Sequence, residues 1–157
     1  LIEEEMLKKE TKKIKYVTYR FGTVSGVSTG MRFHTAVNKF CYNASIGEPI
    51  AVYKTALNQF RPYLSLKDAF KVFKFTIDKD LFKNNIYNAL SENCTVNQII
   101  QKIKKYKKKI KIKFVYSEIM NQLSYHVDKK KLNKEGLNLK NKISEDIKDT
   151  IKLLKNI

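Results

Sequence analysis

The segment RFGTVSGVSTGMRFHTAVNKF, residues 20–40, gathers two of the chain's three arginines, one of its two histidines and three of its five glycines. Glycines with small hydroxyls let a backbone approach a ligand closely. Arg32 and His34 flank Phe33 at an expected helix start, where free N–H groups favour anions; ordinary surface residues are the other reading. Arg61 stands alone in an extended stretch otherwise built for burial and needs a partner. An anionic ligand such as a phosphate would serve, and so would a carboxylate of its own fold. The chemistry within reach is therefore anion binding at a glycine-punctuated crossover.

Catalytic constellations are not legible. His34 and His126 have no second ligand at metal spacing. Cys41 and Cys94 are far apart and read as reduced thiols. A Ser–His–Asp set can be assembled on paper from almost any chain of this kind and carries no weight. SGVSTG lacks the spacing of a dinucleotide or phosphate loop. Glu3, Glu4 and Glu5 read as a solvated helix face.

The net charge of +17 points towards nucleic acid at first sight. Of 32 basic residues, however, only Arg20, Arg32 and Arg61 are arginine, the side chain whose planar fork reads phosphates and bases best. The dense run KIKKYKKKIKIKF, residues 102–114, reads as a solvated helix end passing into a strand. No segment has the length and apolarity of a membrane span, and the N-terminus does not read as a secretory signal. With reduced thiols, a cytoplasmic setting is expected. The first residue is Leu1, as in a processed chain or a fragment.

The elements that must hold these residues alternate between helix and strand. A helix is expected over residues 1–13 and a strand over 14–22. Residues 22–30 read as a loop, with Ser28 or Thr29 capping a helix over 31–47. Strands follow at 48–55 and 61–66, separated by a turn. Asp68 or Ser65 caps a helix to Asp78 whose apolar face is Phe70, Val72, Phe73 and Ile77. Then come a strand at 84–90, a helix capped by Thr95, and a strand at 109–117 with one wet face. Asp128 caps a short helix ending at Gly136, Ser144 opens the last helix with Glu145 and Asp146 in its first turn to suit the dipole, and these two helices read as an appended cap. The class is mixed α/β.

In this order the segments resemble an extended short-chain dehydrogenase/reductase, the NAD-dependent nucleotide-sugar epimerase/dehydratase family, in its C-terminal part. LIEEEML resembles the helix that follows the family's Tyr-x-x-x-Lys pair, and YRFGTVSGV its Arg-Tyr-Phe-Asn-x-x-Gly-Pro strand. GMRFHTAVNKFCYNASIGEPIAVY is similar to the substrate-loop helix with its Gly-x-Pro ending and base-contacting strand. FRPYLSLKDAFKVF, IYNALSENCTVNQII and SYHVDKKKLNKEGLNLKNKISEDIKDTIKLLK are similar to the later segments, so the likeness covers essentially the whole chain.

The resemblance implies an extended Rossmann-type NAD(P)-binding fold with a substrate-binding lobe. Residues 1–24 would end the catalytic helix and supply a late strand, and 25–60 the substrate-lobe helix and strand. Residues 61–90 would give the last helix and strand of the dinucleotide-binding domain, and 91–157 the C-terminal lobe. Phe21 matches a position beside the nicotinamide of NAD or NADP, and Thr23 one that touches the substrate diphosphate. Ala51 and Tyr53 match the base-contacting strand, and Arg61 the arginine that holds the diphosphate. Arg32 and His34 complete the candidate substrate-binding set. The family's glycine-rich loop and Tyr-x-x-x-Lys pair would lie upstream of Leu1, which implies an inactive piece of an epimerase, dehydratase or reductase. Its substrate would be a nucleotide sugar, and the full-length enzyme a homodimer through the helix at 1–13. The chain departs from the pattern at Thr23 (for asparagine), Pro62 (for aspartate), Ser124 (for a second arginine) and Ser91-Glu92-Asn93 (for a glycine-rich turn). The alternatives are a non-catalytic basic domain that binds RNA or another anionic partner, and a family member serving as a scaffold.

Overall fold

The structure, a computed structural model, describes residues 2–10, 14–116 and 124–156. Residues 1, 11–13, 117 and 157, included in the expected first helix, last strand and last helix, lie outside that set. Helix α1 (Ile2–Glu10) leads to strand β1 (Val17–Phe21), which pairs in parallel with β5 (Asn85–Ala89) in a two-stranded sheet.

The expected loop after β1 contains a further strand, β2 (Thr23–Ser25). Gly22 makes this possible. Its N–H donates to Ala89 O at 3.0 Å, finishing the pairing with β5, and the chain then switches to β4 (Phe60–Ser65). A Cβ at Gly22 would stand 2.9 Å from the Pro62 carbonyl carbon, so only glycine admits the crossing. β4 is central, parallel to β2 and antiparallel to β6 (Glu92–Thr95). β6 was not legible because Glu92 and Asn93 read as turn residues. A third sheet pairs β3 (Ile50–Tyr53) in parallel with β7 (Ile112–Val115).

Helix α2 spans Ala36–Ile46, five residues shorter at its start than the sequence suggested, with Thr35 as N-cap. Asn38 accounts for the difference: its side chain donates to Arg32 O at 3.0 Å and accepts from Gly26 N–H at 3.4 Å. Residues 26–35 are thereby folded back on the first turn, and Arg32, Phe33 and His34 precede the helix. Gly47 ends it in the left-handed region at φ 80°.

Helix α3 (Leu66–Asp78) starts at Ser65 rather than Asp68. Its buried stripe is Ala69, Val72 and Thr76; of the expected face, only Val72 is buried, while Phe70, Phe73 and Ile77 are exposed. Both stripes have helical spacing, and the slimmer one packs inward. Asp68 is wholly buried and accepts from Ser91 Oγ–H, Asn141 N–H and Asn141 Nδ2 at 2.8–3.0 Å. It ties α3 to two distant connections.

Helix α4 (Val96–Lys104) carries a capping box between Thr95 and Gln98. Helix α5 (Lys130–Lys134) starts where Asp128 Oδ1 accepts the Lys130 N–H at 2.6 Å. Helix α6 (Ile143–Leu153) begins one residue before Ser144, and its Ile143 N–H is bound by Glu92 Oε1 at 2.8 Å. The last two helices are not an appended cap. Ile143, Ile147 and Ile151 of α6 share a core with Val37, Phe40, Ile50, Val52, Ile99 and Ile103. Leu132 of α5 belongs to a second core with Leu64, Val72, Leu81 and Tyr87.

Candidate functional site

A cavity of about 530 Å³ opens where β2, β3, β4 and the start of α2 converge. Five of the seven residues singled out by sequence border it: Thr23, His34, Ala51, Tyr53 and Arg61. Their elements explain the convergence. On β3, Ile50 and Val52 point into the core, so alternation turns Ala51 and Tyr53 to the cavity. On β4, Arg61 and Tyr63 share the other face-to-cavity register. Arg32 borders a smaller cavity of about 240 Å³ with Gly26, Gly30 and Asn38. Phe21 borders another of about 350 Å³ with Gly22, Pro62, Asn88 and His126. Tyr125 borders both the main cavity and that of Phe21, so these two adjoin.

Arg61 is aimed by its neighbours. Nη1 donates to Phe60 O at 2.7 Å, Nη2 donates to Gln59 Oε1 at 2.9 Å, and the guanidinium carbon lies 5.1 Å from the Tyr125 ring centroid. These contacts fix the fork before any ligand arrives. Lys39 and the N-terminus of α2 border the same space. Thr35 makes no capping bond with its side chain, and among the described residues its buried Oγ1 has no partner. A cationic fork, an ammonium and a helix N-terminus together suit a phosphate-bearing anion. Tyr53 and Tyr125 offer ring faces for a planar group. Gln59, Lys39, Tyr63 and Tyr125 were not singled out from sequence, although Tyr125 lies beside the flagged Ser124. Ser124 itself accepts the Phe60 N–H at 3.0 Å, anchoring its segment to β4.

Proton-transfer machinery is a separate matter. Tyr63 and Lys67 have the spacing of a Tyr-x-x-x-Lys pair, as do Tyr125 and Lys129. Tyr63 sits in β4 and Lys67 in α3, so no helix face joins them. Burial pushes the Tyr63 phenol up to about 12, the reverse of activation. Lys67 Nζ is paired with Asp149 at 3.0 Å. The Lys129 ammonium donates to Leu90 O, Ser91 O and Leu139 O at 2.7–3.0 Å, and desolvation lowers its pKa. Neither pair forms a phenol–ammonium couple. Among the described residues no group of three or more His, Cys, Asp or Glu could hold a metal, and no helix is long and apolar enough to cross a membrane.

No protein-family model matches the chain. Solved structures do. A UDP-glucose 4-epimerase from Thermus thermophilus in complex with NAD superposes with a TM-score of 0.80 at 19% identity, over 98% of this chain and 51% of that one. A UDP-glucuronic acid 4-epimerase from Bacillus cereus, in complex with UDP-glucuronic acid and NAD, gives 0.82 at 16%, over 98% and 49%. A dTDP-glucose 4,6-dehydratase from Bacillus anthracis in complex with NAD gives 0.72 at 18%, over 99% and 49%. The chain thus spans about half the length of the structures it matches. The likeness read from the sequence holds at the level of the fold: the chain is built as the C-terminal half of the Rossmann-type, NAD-dependent sugar-nucleotide epimerases and dehydratases.

Proposed function

We propose that the chain is the substrate-binding half of an NAD- or NADP-dependent sugar-nucleotide epimerase or dehydratase, and that its main cavity holds the nucleotide sugar. The convergence of Thr23, His34, Ala51, Tyr53 and Arg61 on one cavity carries this reading. In it, Arg61, Lys39 and the α2 N-terminus hold the diphosphate, Thr23 contacts it, and Ala51 and Tyr53 flank the base. Arg32 and His34 edge the sugar side. Phe21 sits in the adjoining cavity, beside the nicotinamide.

A nicotinamide cofactor would supply the hydride acceptor for such chemistry. Its phosphates find no glycine-rich loop after a strand in this chain. Its binding and the catalytic tyrosine–lysine pair therefore belong to a preceding segment, with 1–157 inactive by itself. The four-part division at residues 24, 60 and 90, a cytoplasmic setting, and dimerisation through α1 in the complete enzyme form part of the same reading.

Calorimetric titration with UDP-glucose tests it, alongside circular dichroism to establish that the chain is folded. Saturable binding is expected, with Arg61→Ala weakening it by about tenfold or more. Failure of the folded chain to bind any nucleotide sugar overturns the proposal. Hydride transfer by the chain with NAD alone overturns the assignment of catalysis to another segment. RNA binding that falls steeply with salt and ignores Arg61→Ala would establish the basic-domain alternative instead.

A further inference from the structure

One buried carboxyl stands where the β2–β4 pairing ends. Asp146, in the first turn of α6, is 3% exposed. Its Oδ2 accepts from Ser25 Oγ–H at 3.0 Å and its Oδ1 from Ser65 Oγ–H at 2.8 Å. Ser25 and Ser65 face each other as the last pair of the parallel ladder. Thr23 and Tyr63 form the pair two residues earlier, and both border the cavity. Residues two apart on a strand share a face. The carboxyl therefore bridges the ladder on the face that also carries the cavity.

The cost of this arrangement argues that it is specified. A carboxyl out of water is expensive unless its oxygens are bonded, and here each has its own serine from a different strand. The chain also bends tightly around it: Gly26 lies at φ 128°, and a Cβ there would stand 3.1 Å from Leu66 Cβ and 3.4 Å from Asp146 Oδ1. We propose that Asp146 is a positioning residue, whose carboxyl clamps β2 to β4 and so sets the spacing of Thr23, Tyr63 and Arg61 across the ligand cavity. This rests on the reading of that cavity as the nucleotide-sugar site.

The clamp has two states. An ionised carboxylate accepts both hydroxyls, whereas a protonated carboxyl must donate one bond, so one serine turns. Burial raises this carboxyl to about 6, with the two serine bonds pulling the other way. The charged groups facing it are Lys67 on α3 and Asp149 on its own helix, paired with each other at 3.0 Å. From α2 comes the Cys41 thiol, kept protonated by burial. β2 and β4 present the two serines, and α4 shares Ile99, Ile100 and Ile103 with the common core. Ligand affinity should therefore step near pH 6.

The test uses the 157-residue chain and UDP-glucose, whose diphosphate diester keeps its charge across the range. Affinity is measured between about pH 5 and 8 for the wild type, Asp146→Asn, Asp146→Ala and His34→Gln. The wild type should show a pH step, which Asp146→Asn abolishes and His34→Gln retains, so that the step is assigned to Asp146. Asp146→Ala should weaken binding about tenfold or more while remaining folded, since loosened strands misplace several contacts at once. Persistence of the step in Asp146→Asn, or full affinity in folded Asp146→Ala, overturns the proposal. Should Asp146→Ala fail to fold, the pH profile of Asp146→Asn decides. A folded wild type that binds no UDP-glucose at any pH sinks the site reading and this clamp with it, whereas binding without the step sinks the clamp alone.

Discussion

The rings of Phe21 and Phe73 meet edge to face, with centroids 5.6 Å apart, on a side of the molecule that neither one closes. Around them, Phe70 is 69% and Ile77 is 72% exposed. Among the described residues, β1 pairs only with β5 and leaves its other edge open. An apolar helix face beside an unpaired strand edge is a template for association. The chain should therefore self-associate with rising concentration. Replacing both Phe70 and Ile77 with lysine should reduce that association while lowering Tm by only about 2 °C or less, because neither side chain contributes to a core. Sedimentation velocity over a concentration series, with thermal melts of both proteins, checks this. Unchanged association in the variant would place the sticky surface elsewhere.

Gly22 and Gly30 lie in the same glycine-punctuated segment but should behave differently. A methyl at Gly22 would stand 2.9 Å from the Pro62 carbonyl carbon and 3.1 Å from the Tyr63 carbonyl carbon. Backbone cannot swing aside as a side chain can, so Gly22→Ala should cost about 1–3 kcal/mol. Nothing lies within 4 Å of a methyl at Gly30, so Gly30→Ala should be near neutral. Urea denaturation of both variants gives the two numbers. Equal losses would mean that the close passage of β1–β2 over β4 is not a tight constraint.

Local signals carried much of the architecture. The Thr95 helix cap and the Gly47 helix end are written in local residues, and both stand where the sequence put them. The gathering of Thr23, Ala51, Tyr53 and Arg61 at one cavity followed from the order of segments, not from any local pattern. What escaped depends on partners far along the chain. Glu92 reads as a turn residue until Tyr63 pairs with it and the Ile143 N–H reaches its carboxylate. Asp146 reads as a helix-dipole residue until Ser25 and Ser65 close around it. The start of α2 moved because Asn38 fastens Arg32 and Gly26, which helical periodicity does not register.

Both thiols should be inert in the folded chain. Burial pushes Cys41 up to about 12, with Asp146 adding to the shift, and raises Cys94 to about 11, reinforced by Glu92. The thiolate is the reactive species, so at about pH 8 well under one per cent of either is available. Ellman's reagent should leave the native protein unlabelled over minutes and modify both cysteines in guanidinium chloride. Rapid stoichiometric reaction of the native chain would contradict the burial of both side chains.

The last expectation sets two carboxylates against each other. Glu92 accepts from Lys102 Nζ at 2.7 Å and from the Ile143 N–H at 2.8 Å. Desolvation pushes its pKa up, but those two bonds and the lysine charge outweigh it and the net shift is downward. A depressed carboxylate contributes stability that is present above its unfolded pKa and is lost as pH falls through the folded value. Asp146 has the opposite sign. Its carboxyl is raised from 3.8 to about 6, so the folded state holds that proton more tightly than the unfolded one. Its contribution therefore worsens as pH climbs from about 4 to 6 and is constant above, at a cost of about 3 kcal/mol for a shift of that size. Asp146→Asn should gain stability relative to wild type across that window and hold the gain at neutral pH. Glu92→Gln should lose about 1.5–3 kcal/mol at neutral pH, with the deficit shrinking in acid. Urea midpoints at a series of pH values distinguish the two. Parallel curves for both variants would show that neither carboxylate titrates with the assigned sign.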